Sequence, residues 1–128
     1  MEFQYVNLSH EYKIIAPKNA EAMEKLYRND IYDESGKIDS CFESMTFYED
    51  SYYPLEDILF DPINAKCDSL INMYEEAVIE HEHLDKVKEV IDGLDETVID
   101  SNIKNLIEKF VYLLNCAIAN ETGLGFYF

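Results

Sequence analysis

The chain has 128 residues, 48% of them apolar, which suffices for one compact domain that buries a core without disulfides or metals. Ten Lys and Arg stand against 27 Asp and Glu, a formal net charge of −17. A field of that sign repels nucleic acid and anionic lipid and draws cationic proteins in, so binding to nucleic acid or to a membrane surface is excluded as an expectation.

The first residues, MEFQYVNLSHEYKIIAPK, lack a basic start followed by an apolar run, and no stretch of 18 apolar residues occurs. Neither a secretory leader nor a membrane span is expected. Cys41, Cys67 and Cys116 are odd in number and widely spaced, with no CxxC pair. That argues against a disulfide framework or a cysteine zinc site and fits a cytoplasmic protein. No Pro/Gly/Ser-rich linker or internal repeat divides residues 1–128, so a single domain is expected.

In chain order, residues 3–15 mix β-branched and aromatic side chains around Ser9-His10, the pattern of a short hairpin ended by Ala16-Pro17. A helix is expected from about Asn19, its cap, to Asn29, with Ala22, Met23, Leu26 and Tyr27 as its apolar stripe. DESGK at 33–37 reads as a turn, and Cys41, Met45 and Tyr48 recur at helical spacing near 40–47. Pro54 starts one helical turn in this reading, and Asp61-Pro62 caps the next helix.

From Ile63 the apolar residues Cys67, Leu70, Tyr74, Ala77, His81, Leu84, Val87, Ile91 and Leu94 recur every three or four positions. They predict one long helix over about 63–92, ended by Gly93. A second, over about 96–120, carries Ile99, Ile103, Leu106, Ile107, Phe110, Leu113, Leu114, Ala117 and Ile118. The expected fold is mainly α: a single-domain helical bundle with a long C-terminal helical hairpin. A short β element formed by residues 3–15 and the tail GLGFYF is allowed beside it.

Chemistry-bearing motifs are few. Glu80 and His83 have the Glu-x-x-His spacing of half a di-iron site, but a second such pair is missing. His81 and His83 diverge on a helix, and His81 falls on the stripe as an interior residue. No HExxH, GxSxG, phosphate-cradling loop or calcium loop is present. No metal, cofactor or catalytic residue is assigned, and the chain is expected not to be an enzyme.

The stretch FYEDSYYPLEDILFDP at 47–62 is distinctive. Residues 30–61 hold ten acids against Lys37 alone. Tyrosine combines large contact area with a hydroxyl at low entropy cost, and carboxylates pair with Arg and Lys. Asp33, Glu34, Tyr48, Glu49, Asp50, Tyr52, Tyr53, Glu56 and Asp57 are therefore the expected partner-binding residues. The structural alternative makes Phe47, Tyr53, Leu55 and Phe60 anchors to the core, with the acids facing water.

The function expected is a non-catalytic acidic inhibitor of a basic protein, most economically an immunity protein that neutralises a nuclease toxin domain, acting as a monomer or homodimer. One alternative is a nucleic-acid mimic that inhibits a restriction or CRISPR effector. Another is a helical structural or regulatory module that self-associates through its hairpin.

Overall fold

The computed structural model describes residues 10–69, 71–72 and 76–128. Its centre is a four-stranded antiparallel sheet in the order β2-β1-β4-β3, formed by Glu11–Pro17 (β1), Phe42–Tyr48 (β2), Glu76–Ile79 (β3) and Leu124–Tyr127 (β4). Five α-helices pack around it: Ala20–Tyr27 (α1), Glu49–Leu55 (α2), Asp61–Cys67 (α3), Leu84–Asp92 (α4) and Ser101–Asn120 (α5). The fold is therefore α/β, and the expectation of a mainly α helical bundle is wrong. Residues 3–9 of the expected N-terminal hairpin lie outside the described residues. Glu11–Pro17 pairs with β2 on one side and, as the allowed β element of the N-terminal segment and the tail had it, with the tail strand β4 on the other.

Strand alternation divides the sheet into two faces. Tyr12, Ile14 and Ala16 of β1, Met45 and Phe47 of β2, Ile79 of β3, and Leu124 and Phe126 of β4 join a core with α2 to α5. Ile15 and Phe42 turn the other way and meet Ala22 and Leu26 of α1, with Ile31 of the following loop. The larger core is rich in rings. Tyr12 stacks on Tyr52 at 4.9 Å, and Phe128 sits 5.1 Å from Phe60.

The largest departure from expectation is the proposed helix over 63–92. It stops at Cys67, because Asp68 takes a left-handed conformation at φ 53°. Asn64 then holds the chain in its new direction: its side chain accepts from Ile71 N and Ser69 Oγ and donates to the Ile71 carbonyl. Glu76–Ile79 becomes a strand because Ala77 and Ile79 pair with Phe126 and Leu124, presenting period-two apolar side chains to the core. Pairing with β4 overrides the three-and-four spacing of the sequence. Helix resumes at Leu84, with Leu84, Val87 and Val90 buried.

The turn expected to be helical near 40–47 is also strand. Met45 and Phe47 alternate inward opposite Ile14 and Tyr12. Helix begins just after it and runs on through α2, a π-helical stretch at Glu56–Phe60, and α3. Pro54 lies inside α2 rather than at its start. Pro62 has no N–H to donate four residues back, and the Asp61 N–H bonds Glu56 O, five residues back, so the ladder widens by one residue there. The last helix keeps its predicted stripe, Ile103, Ile107, Phe110, Leu113, Leu114 and Ala117 all being buried. It starts at Ser101, later than expected, because the Asp100 carboxylate caps Ile103 N at 3.0 Å.

Candidate functional site

The acidic stretch follows β2 off the edge of the sheet and into α2. Glu49 and Asp50 occupy the first turn of α2, where carboxylates favour the positive end of the helix dipole. Glu49 and Tyr53 are four residues apart on α2, and Asp57 follows four further along in the π-helical stretch; all three are exposed. Tyr48 and Tyr53 are 46% and 55% exposed. Tyr48, Glu49, Asp50, Tyr53 and Asp57 thus form a short acidic, ring-bearing ridge.

Tyr52 does not belong to that surface. It is fully buried, and its ring stacks in the aromatic core. Its hydroxyl donates to the Glu56 carboxylate at 3.0 Å, and burial, reinforced by that carboxylate, pushes the phenol well above its ordinary range. Glu56 is half-buried and occupied in this way, so it is part of the support for the ridge. Phe47, Leu55 and Phe60 are core anchors, as the structural alternative had them, whereas Tyr53 is outward.

Asp33 and Glu34 are exposed but separate. Their turn follows Ile31, which packs under α1 on the opposite side of the sheet from Tyr52 and Leu55. The Asp33 carboxylate accepts from Ser35 Oγ at 2.6 Å, Ser35 N at 2.8 Å and Lys37 N at 3.1 Å. These bonds, the Ser35 hydroxyl first, hold its pKa below the usual carboxylate range. Asp39 and Asp95 are held low in the same way, chiefly by bonds from Cys41 and from Thr97. Part of the chain's acidity therefore caps turns and helices instead of lining one surface.

Sequence reasoning missed a second set of exposed rings. Five of the six large apolar residues exposed among the described residues are tyrosines: Tyr27, Tyr32, Tyr48, Tyr53 and Tyr112. Tyr27 donates to Glu80 at 2.6 Å, which raises its pKa to about 12. Tyr112 donates to Glu43 at 3.3 Å beside β2. The available signal was the place of Tyr112 on α5, off the Phe110, Leu113 and Leu114 stripe.

Among the described residues no three His, Cys, Asp or Glu side chains are placed to hold a metal ion. His81, expected in the interior, is exposed, with Nδ1 3.2 Å from the Thr122 carbonyl. Glu80 precedes a short 3-10 turn at His81–His83, so the Glu80 and His83 pair does not sit on an α-helix. Burial raises the thiol pKa of Cys41 and of Cys67, which disfavours thiolate at either. No helix among the described residues is long and apolar enough to cross a membrane. No protein-family model, curated protein or solved structure matches this chain.

Proposed function

We propose that this protein acts by binding: the acidic ridge at residues 48–57 docks on a cationic surface of another protein and blocks it. The observation that carries the reading is the ridge itself, exposed Tyr48 at the end of β2 followed on one continuous helical segment by exposed Glu49, Asp50, Tyr53 and Asp57. Rings of this kind dominate interface hot spots, and the carboxylates complement Arg and Lys. The net charge of −17 adds long-range attraction and accelerates encounter with a basic partner. The partner class that most needs such a cover is a nuclease, whose cleft is basic because its substrate is polyanionic. An immunity protein held beside a nuclease toxin is the most economical instance.

The test is genetic and biochemical. The reading frame adjacent to this one is cloned, and its C-terminal domain is expressed with and without this chain. A small basic domain that arrests growth alone, is tolerated together with this chain and co-purifies with it is the expected result. Arrest that this chain does not relieve counts against the reading, as does relief that survives conversion of Tyr48, Glu49, Asp50, Tyr53 and Asp57 to Ser or Asn.

A further inference from the structure

Strand β2 is an outer strand of the sheet, and its pairing register shows which of its groups face outward. The Lys18 N–H bonds the Cys41 carbonyl at 2.9 Å, and 18 with 41 continues the β1–β2 register. Hydrogen-bonded residues alternate along an antiparallel ladder. Cys41, Glu43, Met45 and Phe47 therefore turn their main chain toward β1, and Ser44, Thr46 and Tyr48 turn theirs outward. All three are exposed, and among the described residues no strand pairs with the outward side of β2, although the Tyr48 carbonyl opens α2 and leaves only its N–H to offer there. β2 is seven residues long and carries no proline or lysine, the usual safeguards of an open edge.

The edge is one wall of a groove of about 740 Å³, whose other wall is α5, with Asn105, Glu108, Lys109 and Tyr112. Charge decides what fits. Asp39 and Glu43 lie at one end of the strand, Glu49 and Asp50 at the other, and Glu108 in the groove. The opposing charges are Lys109 and three lysines already engaged: Lys18, 3.2 Å from Glu43, Lys25, 3.7 Å from Asp39, and Lys13, opposite Thr46 in the register and 3.0 Å from Glu11. Among the described residues the free acids of the edge are therefore Glu49, Asp50 and Glu108. A second copy of this chain, paired antiparallel about Met45, would bring Asp39 and Glu43 of one copy toward Glu49 and Asp50 of the other, acid against acid.

We propose that the open edge of β2 is a strand-addition site that takes an extended cationic segment of a partner polypeptide as a fifth strand. It rests on the docking function proposed above and adds the mode: main-chain bonds to Ser44, Thr46 and the Tyr48 N–H supply register, and the flanking acids select Lys and Arg. The added strand would lie immediately beside the Tyr48–Asp57 ridge, so that one partner covers both.

The experiment follows amide exchange in the labelled full chain, with a blocked peptide of about seven alternating Lys and Val residues as probe. In the free chain the Ser44, Thr46 and Tyr48 amides exchange faster than those of Met45 and Phe47. The peptide slows them, and Thr46→Pro, which removes no bond to β1, weakens peptide binding about tenfold. Should Thr46→Pro fail to fold, a peptide N-methylated at alternate residues replaces it as the blocked partner. Slow exchange of the three amides in the free chain overturns the proposal, as does an absence of peptide binding. Salt-sensitive binding without their protection overturns strand addition but leaves acidic docking standing. Equal protection by an uncharged Thr/Val peptide removes the cationic preference and counts against both. A concentration-dependent dimer abolished by Thr46→Pro would assign the edge to a second copy instead.

Discussion

Single side chains set both the turns and the titration behaviour of this protein. Tyr27 and Tyr127 each have a pKa raised to about 12, Tyr27 first by its bond to Glu80 and Tyr127 first by burial. A phenol whose pKa is raised on folding contributes stability below its unfolded pKa of about 10 and loses it as pH rises through the folded value. The melting temperature should therefore hold up to about pH 10 and fall between there and about 12, with Tyr127→Phe flattening that decline. An unchanged alkaline profile in Tyr127→Phe would contradict this. At the acid end, Asp33, Asp39 and Asp95 are held low, so their contribution is present at neutral pH and is lost as pH falls through their depressed values. Glycines give a second residue-scale contrast. A Cβ on Gly123 would lie 2.3 Å from the Ile79 carbonyl, a backbone atom that moves only if β3 moves. Gly123→Ala should cost about 1–3 kcal/mol in chemical denaturation. At Gly93 the nearest atom is 3.5 Å away, and Gly93→Ala should be neutral or slightly stabilising.

At the scale of elements, the decisive event is the end of α3. Asn64 makes three hydrogen bonds, one to Ser69 and two to Ile71. Asn64→Ala should cost about 1–3 kcal/mol and speed amide exchange in β3, since it frees the polar groups that direct the chain away from helix. If only the global stability fell and exchange in β3 kept pace with α5, the turn would not be the controlling feature. The sequence was legible where local signals and tertiary packing agree. Asn19 caps α1 through a bond from Ala22 N, and the stripe of α5 is buried as its spacing implies. It was misread where they compete. Met45 fits a helical period with Cys41 and Tyr48 and a strand period with Phe47, and only partners distant in sequence, Ile14 and Tyr12, decide between them. Ala77 and Ile79 are in the same position with Phe126 and Leu124. The candidate site was legible in composition and not in direction. Tyr52 and Tyr53 are adjacent and chemically equal, yet one is core and the other surface because α2 turns about 100° per residue.

The whole molecule is strongly acidic, and among the described residues the exposed large apolar side chains are almost all tyrosines. Cores of this kind lose about 3–5 kcal/mol when a buried ring is truncated, and Phe126→Ala, which removes a fully buried ring packed on Phe60, Phe110 and Phe128, should show that loss. Removing ridge side chains should lower the melting temperature only slightly, because Tyr48, Glu49, Asp50, Tyr53 and Asp57 are all exposed and what is lost is the acidic first turn of α2 and the edge contact of Tyr53 with Tyr52. Stability and binding are thus predicted to separate. The measurement that tests this most directly is the association rate constant with a basic nuclease domain, for wild type and for the five-residue ridge variant, between roughly 0.05 and 0.5 M salt. For wild type the rate should fall steeply as salt rises, and for the variant it should be slower and nearly flat. Equal rates for the two proteins, or a wild-type rate indifferent to salt, would contradict this.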